Sequence, residues 1–360
     1  MMKKYFFAIF ALAVIILIPL SFKGGFFIAG KIDEMFLKET KVAAINLSQN
    51  TTSQNNVVSN KILENTGMNT ISTPAETITA PPTAQTDNNS QNKSDSGVTF
   101  AVIGDTKSFT TDPNGNLEKA VQSLTKQNFD IAFAMGDLIQ SCDGGNKCET
   151  KYNDWKSVMA PILSKTYEIV GNHDRTGGNA ADPIWQKEFN LPTNGPSGFS
   201  EMVYSFDKGN SHFVVLDTEK PAGHSFNSIQ QNWLEQDLTN NKKENTFVFF
   251  HEPLFQMSQD KKDAMDANPA DRDALWNILK KHNVTAIFNG HLHMFSRKLI
   301  DGIQNIVVGD TDSTADDIPQ KGLTDFGLTG HHYSIVSVSG KQVDLQTYSL
   351  DGKLVNDFKF

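Results

Sequence analysis

The chain predicts an α/β fold preceded by an N-terminal membrane helix and a disordered linker. Three observations carry that expectation. From Val98 to Phe360 apolar runs alternate with amphipathic segments; a long apolar run opens the chain; and a polar, Pro-containing stretch separates the two. At 360 residues, 38% of them hydrophobic, the chain is long enough to bury a full core.

Lys3 and Lys4 precede an almost unbroken apolar run from Tyr5 to Phe22, which Lys23 and the Gly24–Gly25 pair close. At about 1.5 Å per residue this run just crosses a hydrocarbon core of roughly 30 Å. It exceeds the apolar region of a signal peptide, typically about 7–15 residues, so residues 1–30 are predicted to be an uncleaved anchor. The paired lysines set the N-terminus in the cytoplasm and the rest of the chain outside. A cleaved signal, with Ile28-Ala29-Gly30 as a weak site, is the alternative, and it would release a secreted protein. The net charge of −9 excludes an evident nucleic-acid surface, which needs basic patches to displace counterions.

Residues 31–97 turn to Ser, Thr, Asn, Gln and Pro, as in "NLSQNTTSQNNVVSN", and hold too little apolar surface to offset ordering entropy. They are predicted to be a tether. Residues 98–360 then form the folded domain. "TFAVIGD" and "FDIAFAMGD" read as strands around the helical spacing of Leu117, Val121 and Leu124. "YNDWKSVMAPIL" reads as a helix and "YEIVGNHD" as a strand, followed by a long Gly/Pro/Asn loop. "HFVVLDT", "TFVFFHEP" and "VTAIFNGHLH" are strands, separated by the helices "SIQQNWLEQDLTN" and "RDALWNILKKH". The β-rich tail suggests a second sheet packed on the first. Cys142 and Cys148 lie in "SCDGGNKC", and outside the cytoplasm a disulfide across this short loop is expected.

Five strands end in a residue of metal-ligand type: Asp105, Asp137, Asn172 with His173, His251, and His291 with His293. Singly, each is explained by turn or capping chemistry. Together, each directly after an apolar strand, they fit the edge of an α/β sheet where strand ends meet and ligands bind. Oxygen and imidazole donors suit first-row metals such as Mn, Fe or Zn. In "GHLH" the two histidines at i and i+2 on an extended segment would point the same way, and Gly290 would let the backbone approach closely.

The set "GD…GD…GNHD…H…GHxH" resembles the calcineurin-like metallophosphoesterase family, in its purple acid phosphatase and cyclic-nucleotide phosphodiesterase branch; "QQNWLEQDL" and "YSF…FVVLDT" add to the likeness. The resemblance implies a four-layer αββα sandwich with two divalent or trivalent ions at the strand ends. It implies that Asp137 bridges the ions, with Asp105 and His293 on the first and Asn172, His251 and His291 on the second. His173 would face the substrate phosphate, and Asp174 would either orient its ring or cap a helix.

One position departs from the family pattern: Asp105-Thr106-Lys107 stands where Asp-x-His is usual. A protonated lysine has no lone pair to offer a metal. Three readings stay open: a weakened first metal site, a charged Lys107 that contacts the substrate phosphate or replaces part of the missing cationic charge, or a degenerate site. The expected function is metal-dependent hydrolysis of a small phosphomonoester or phosphodiester outside the membrane. The alternative is a catalytically silent module that binds phosphate or a partner. Loops 176–200, 142–148 and 309–322 are expected to rim the pocket. His331 and His332 are expected to have packing or surface roles.

Overall fold

The computed structural model describes residues 97–259, 264–313 and 317–360. The predicted membrane helix and all of the predicted linker but Gly97 lie outside the described residues, as does part of the 309–322 loop. No helix among the described residues is long and apolar enough to cross a membrane.

Two sheets make the domain. The first takes β1 (Val98–Ile103), β2 (Ile131–Ala134), β3 (Thr166–Glu168), β11 (His332–Ser339), β12 (Gln342–Ser349) and β13 (Leu354–Lys359), in the order β13-β12-β11-β1-β2-β3. The second takes β4 (Tyr204–Lys208), β5 (Ser211–Val215), β6 (Asn245–Phe249), β7 (Ala286–Asn289), β8 (Phe295–Ile300), β9 (Ile303–Val308) and β10 (Phe326–Leu328), in the order β10-β8-β9-β7-β6-β5-β4. β1, β2 and β3 run parallel, as do β5, β6, β7 and β9.

Aromatic rings join the two sheets. Phe100 of β1 meets Phe213, Phe247 and Phe288 of the second sheet edge-on, with centroids 5.5, 5.2 and 5.6 Å away, and Phe133 of β2 stacks on Phe249 at 3.8 Å. Each such pair adds about 0.5–1.5 kcal/mol beyond its area burial. Alternation along the strands then turns Val214, Val248 and Ile287 to the opposite face, where they pack with Leu234 and Leu238 of α4 (Ser228–Asn240) and Leu275 and Leu279 of α5 (Pro269–Lys281). The first sheet is covered likewise by Leu117, Val121 and Leu124 of α1 (Asn116–Leu124), and by Tyr152, Trp155 and Met159 of α2 (Asn146–Met159). The Ser123 hydroxyl, 2.8 Å from that of Tyr333, ties α1 to β11.

Three local expectations change. The tail does not build the second sheet alone: β9 joins it, but β11 to β13 return to the first sheet, β11 pairing antiparallel with β1 from Val98↔Val338 to Val102↔Ser334. That pairing covers the edge that β1 would otherwise leave open. α2 starts at Asn146, inside the cysteine loop, rather than near Tyr152. The 176–200 stretch is interrupted by α3 (Asp182–Glu188), with Pro183 in its first turn, where the missing N–H costs no helical bond.

Candidate metal centre

Parallel strands end together, so the turns after β1, β2 and β3 face the same edge of the sandwich as those after β6 and β7. Those turns are tight. Asp105, Asp137 and His291 all hold left-handed backbone, with φ of 49°, 53° and 67°. For residues with a Cβ this costs about 1–3 kcal/mol each and persists where surrounding contacts demand it. A Cβ on Gly171 would lie 2.4 Å from Asp137 Oδ1, and one on Gly290 2.6 Å from Asp105 Oδ2, so glycine is what lets these turns close on the carboxylates.

The expected extended geometry of "GHLH" is not what forms. Leu292 N–H donates to the Gly290 carbonyl and Met294 N–H to that of Leu292, so the segment runs through two successive three-residue turns. The result still places the two histidines on neighbouring positions. His291 Nδ1 lies with Asn172 and His251, and His293 Nε2 lies with Lys107.

Around the first of these positions ligand-type atoms converge, with Asp137 Oδ1 also taking the His173 N–H at 2.9 Å. His251 Nδ1–H donates to the Met135 carbonyl at 2.8 Å, which leaves its Nε2 as a lone pair. That Nε2 is 3.0 Å from Asn172 Oδ1 and 3.3 Å from both Asp137 Oδ1 and His291 Nδ1, while His291 Nδ1 is 3.1 Å from Asn172 Oδ1. A hydrogen on His291 Nδ1 satisfies one of these contacts, and the His251 Nε2 lone pair still faces the oxygens of Asn172 and Asp137. Such a cluster fits a cation. Asp105, Asp137 and His251 also have ligand atoms within 4.8 Å of one another.

The second position holds a cation of the chain's own. Lys107 Nζ donates to Asp137 Oδ2 at 2.7 Å, lies 2.8 Å from His293 Nε2, and is 3.6 Å from Asp105 Oδ1, an oxygen that makes no hydrogen bond of its own. Ser313 Oγ sits 2.7 Å from His293 Nδ1; with that nitrogen donating to the hydroxyl, Nε2 is left to accept from the ammonium. Burial opposes the charge on Lys107, yet Asp137 and Asp105 overcome it and raise its pKa. Burial likewise works to raise Asp137, but His251 and Lys107 hold its carboxyl below the usual carboxylate range. Because burial pushes His251 itself down and leaves it neutral near pH 7, Lys107 is the standing charge beside Asp137.

His173 and Asp174 take different places. His173 Nδ1 lies 2.6 Å from the Gln140 carbonyl, which turns Nε2 toward the centre, 3.8 Å from Asp137 Oδ2, while the ring stays partly exposed. Asp174 points inward, accepting from Gly171 N–H, Leu138 N–H and the Tyr152 hydroxyl. Burial, then the charge of Asp137, pushes it up to about 8. It therefore pins the β2 and β3 turns together, and the Gln140 carbonyl does the ring orientation that was one of the two expectations for Asp174.

A cavity of about 440 Å³ opens beside Asn172 and His291, walled by Arg175, Glu219, His224 and Glu252. Burial, then the neighbouring Glu252 and Asp217, pushes Glu219 well above the carboxylate range. Glu252 accepts the His224 N–H at 2.7 Å and pairs with its Nδ1 at 2.7 Å. Of the expected rim, the 176–200 loop contributes Thr176 and Gly178 to this cavity; the wall from the Glu219–His224 loop was not expected. Cys142 and Cys148 are paired, and Cys142 N–H donates to the His173 carbonyl at 3.0 Å. His332 is buried, its ring edge-on to Phe295, and His331 Nδ1 lies 2.9 Å from Asp310 Oδ1, in line with packing and surface roles.

The calcineurin-like phosphoesterase profile matches residues 98–295, more than half of the chain and the whole span that carries the candidate ligands. The chain belongs to this family. It is 29% identical to purple acid phosphatase 13 of Arabidopsis thaliana over 164 residues, which cover 44% of this chain and 30% of that protein. To a probable cyclic nucleotide phosphodiesterase of Rhodopseudomonas palustris it is 28% identical over 210 residues, covering 54% of this chain and 71% of that one. The chain spans less than half the length of the plant purple acid phosphatases it matches first. In fold it is similar to the yellow lupin purple acid phosphatase (TM-score 0.61, 18% identity, 74% of this chain and 54% of that one). It is also similar in fold to GAP50, the anchor in the inner membrane complex of Plasmodium (TM-score 0.58, 14% identity, 74% and 89%).

Proposed function

We propose that this protein hydrolyses small phosphoesters with the help of a bound first-row metal ion, on the outer side of a membrane. The observation that carries the reading is the convergence of Asp137 Oδ1, Asn172 Oδ1 and His291 Nδ1 at 3.0–3.3 Å around His251 Nε2, a lone pair aimed into the cluster because its Nδ1 bonds the Met135 carbonyl. Family membership supports the chemistry. The N-terminal apolar run and the paired cysteines support the location.

These four residues would hold the ion, which when bound supplies Lewis acidity toward phosphoryl oxygen and water. The remaining work falls to the chain. Lys107 offers a positive charge beside the position where phosphoryl oxygens would gather. His173, its Nδ1 held by the Gln140 carbonyl, can carry a proton on Nε2 toward the leaving oxygen. The cavity beside the centre would receive the leaving group. With Glu219 and Glu252 in its wall, it suits one bearing hydroxyl or amine donors rather than a bare apolar chain.

The test is hydrolysis by the purified full-length protein, stripped of metal and reloaded with Mn, Fe or Zn, on p-nitrophenyl phosphate and bis-p-nitrophenyl phosphate. Turnover with at least one metal, lost in Asp137→Ala, is the expected result. Absence of turnover with every metal would leave a phosphate- or partner-binding module, since one fold serves proteins of unrelated function.

A further inference from the structure

The geometry points to a centre that holds one metal ion, with the Lys107 ammonium permanently filling the other cation position. This inference rests on the reading that the acceptor cluster is a metal site, and it deepens that reading by fixing the stoichiometry.

Two sets of donors share Asp137. Its Oδ1 belongs to the cluster with His251, and His173 N–H also donates to it at 2.9 Å; its Oδ2 turns to the other side. On that other side Asp105 Oδ1, Asp137 Oδ2 and His293 Nε2 surround a point that is taken by Lys107 Nζ, at 3.6, 2.7 and 2.8 Å. A first-row ion bound by the same atoms would need distances of about 2.0–2.2 Å to each, which places it on top of the ammonium.

Lys107 is 8% exposed, and its ammonium meets a carboxylate and an imidazole as direct hydrogen-bond partners. Asp137 Oδ2 accepts from the ammonium, and His293 Nε2 lies at hydrogen-bond distance from it. Among the described residues no lysine enters the half formed by Asn172, His251 and His291 as Lys107 enters the other, so the ion belongs there.

The experiment is metal analysis of the full-length protein by plasma emission after dialysis against excess Mn, with Mn paramagnetic resonance on the same samples. The expected result is one ion per chain with the signal of an isolated Mn, lost in His291→Ala and kept in His293→Ala. Lys107→His should bring the count to two and convert the signal to that of an exchange-coupled pair. Two ions in the unaltered protein would overturn the inference while leaving the metal-centre reading intact; none would overturn both. One ion that survives His291→Ala but not His293→Ala would place it in the wrong half and refute the lysine's role. Unfolding curves on each variant guard against misfolding, and the wild-type count decides the matter without any variant.

Discussion

The two halves of the centre share Asp137 but solve one electrostatic problem in different ways. Beside Asn172, His251 and His291 the chain gathers ligand-type atoms around the inward-facing His251 Nε2. Beside Asp105 and His293 it gathers a carboxylate and an imidazole around an ammonium carried by its own sequence. A cation built into the chain cannot dissociate and organises its half at any metal concentration. A cation drawn from solution brings more charge but leaves its half frustrated until it arrives. Folding and chemistry are thus divided between the halves: the Lys107 side holds the strand ends together, and the acceptor side waits for an ion.

The largest expected effect falls where the halves meet. Asp137→Ala should remove both the metal and the ammonium's main partner, cutting phosphoester turnover by about 10³-fold or more, roughly 4 kcal/mol of transition-state stabilisation. Metal content and kcat measured on one sample check it. Near-normal turnover would break the view that the halves act as one centre.

Stability of the metal-free protein separates the halves more sharply. Lys107→Met leaves Asp105 and Asp137 buried without their cation, and losing one partner of a buried pair costs about 3–5 kcal/mol. Asn172→Ala removes one acceptor from a surplus, so in the absence of metal it should cost under about 1 kcal/mol and with metal considerably more. Chemical denaturation of both variants, with and without chelator, measures the contrast. Equal losses in the chelated state would mean that the two halves are not different in kind.

Glu168, at the end of β3, shows what burial does to a carboxyl when the opposing pull, here from its own backbone and then Lys156, is too weak to offset it. Burial pushes it from 4.5 up to about 8, the opposite direction from Asp137. The folded chain therefore binds this proton more tightly than the unfolded chain. The associated stability is complete below pH about 4.5 and is lost as the pH rises toward 8. By linkage the loss is roughly 5 kcal/mol at most. Glu168→Gln should flatten that limb of the stability–pH curve, leaving the variant more stable than the parent at pH 8.5 and little changed at pH 5. An unaltered curve would show that the carboxyl is not kept neutral in the native state.

How much of this was legible depended on whether a side chain or the backbone carries the contact. Asp105, Asp137, Asn172, His251, His291 and His293 could be read because each follows an apolar strand and the strands that carry them end on one edge. The groups that aim them could not. The carbonyls of Met135 and Gln140, which fix the rings of His251 and His173, belong to residues whose identity says nothing about that task. Glu219 and Glu252 come from separate loops that meet only in the folded chain. The residue types of "GHLH" predict an extended segment because nothing in them announces φ of 67° at His291. Lys107 was visible as a departure, but whether it turned to solvent, to substrate or back onto Asp137 depended on packing around Ser313 and His293.

The Cys142–Cys148 pair gives the smallest expected effect and tests whether the surrounding loops belong to either half. The bridge closes a loop with a sequence separation of 6, for which chain entropy gives about 2 kcal/mol. Its contacts run to one place: Cys142 N–H holds the His173 carbonyl, and the Cys142 carbonyl accepts from Gly177 N–H at 2.7 Å. Cys142→Ala with Cys148→Ala should therefore lower the unfolding free energy by about 2 kcal/mol and slow turnover modestly, through a looser His173, while the affinity for Mn stays within about twofold. The proposed ligands Asn172, His251 and His291 are fixed instead by strand ends and by one another. A large loss of Mn affinity in the double variant would show that the disulfide loop supports the acceptor half, and that the division between a self-sufficient lysine side and an ion-dependent side is drawn in the wrong place.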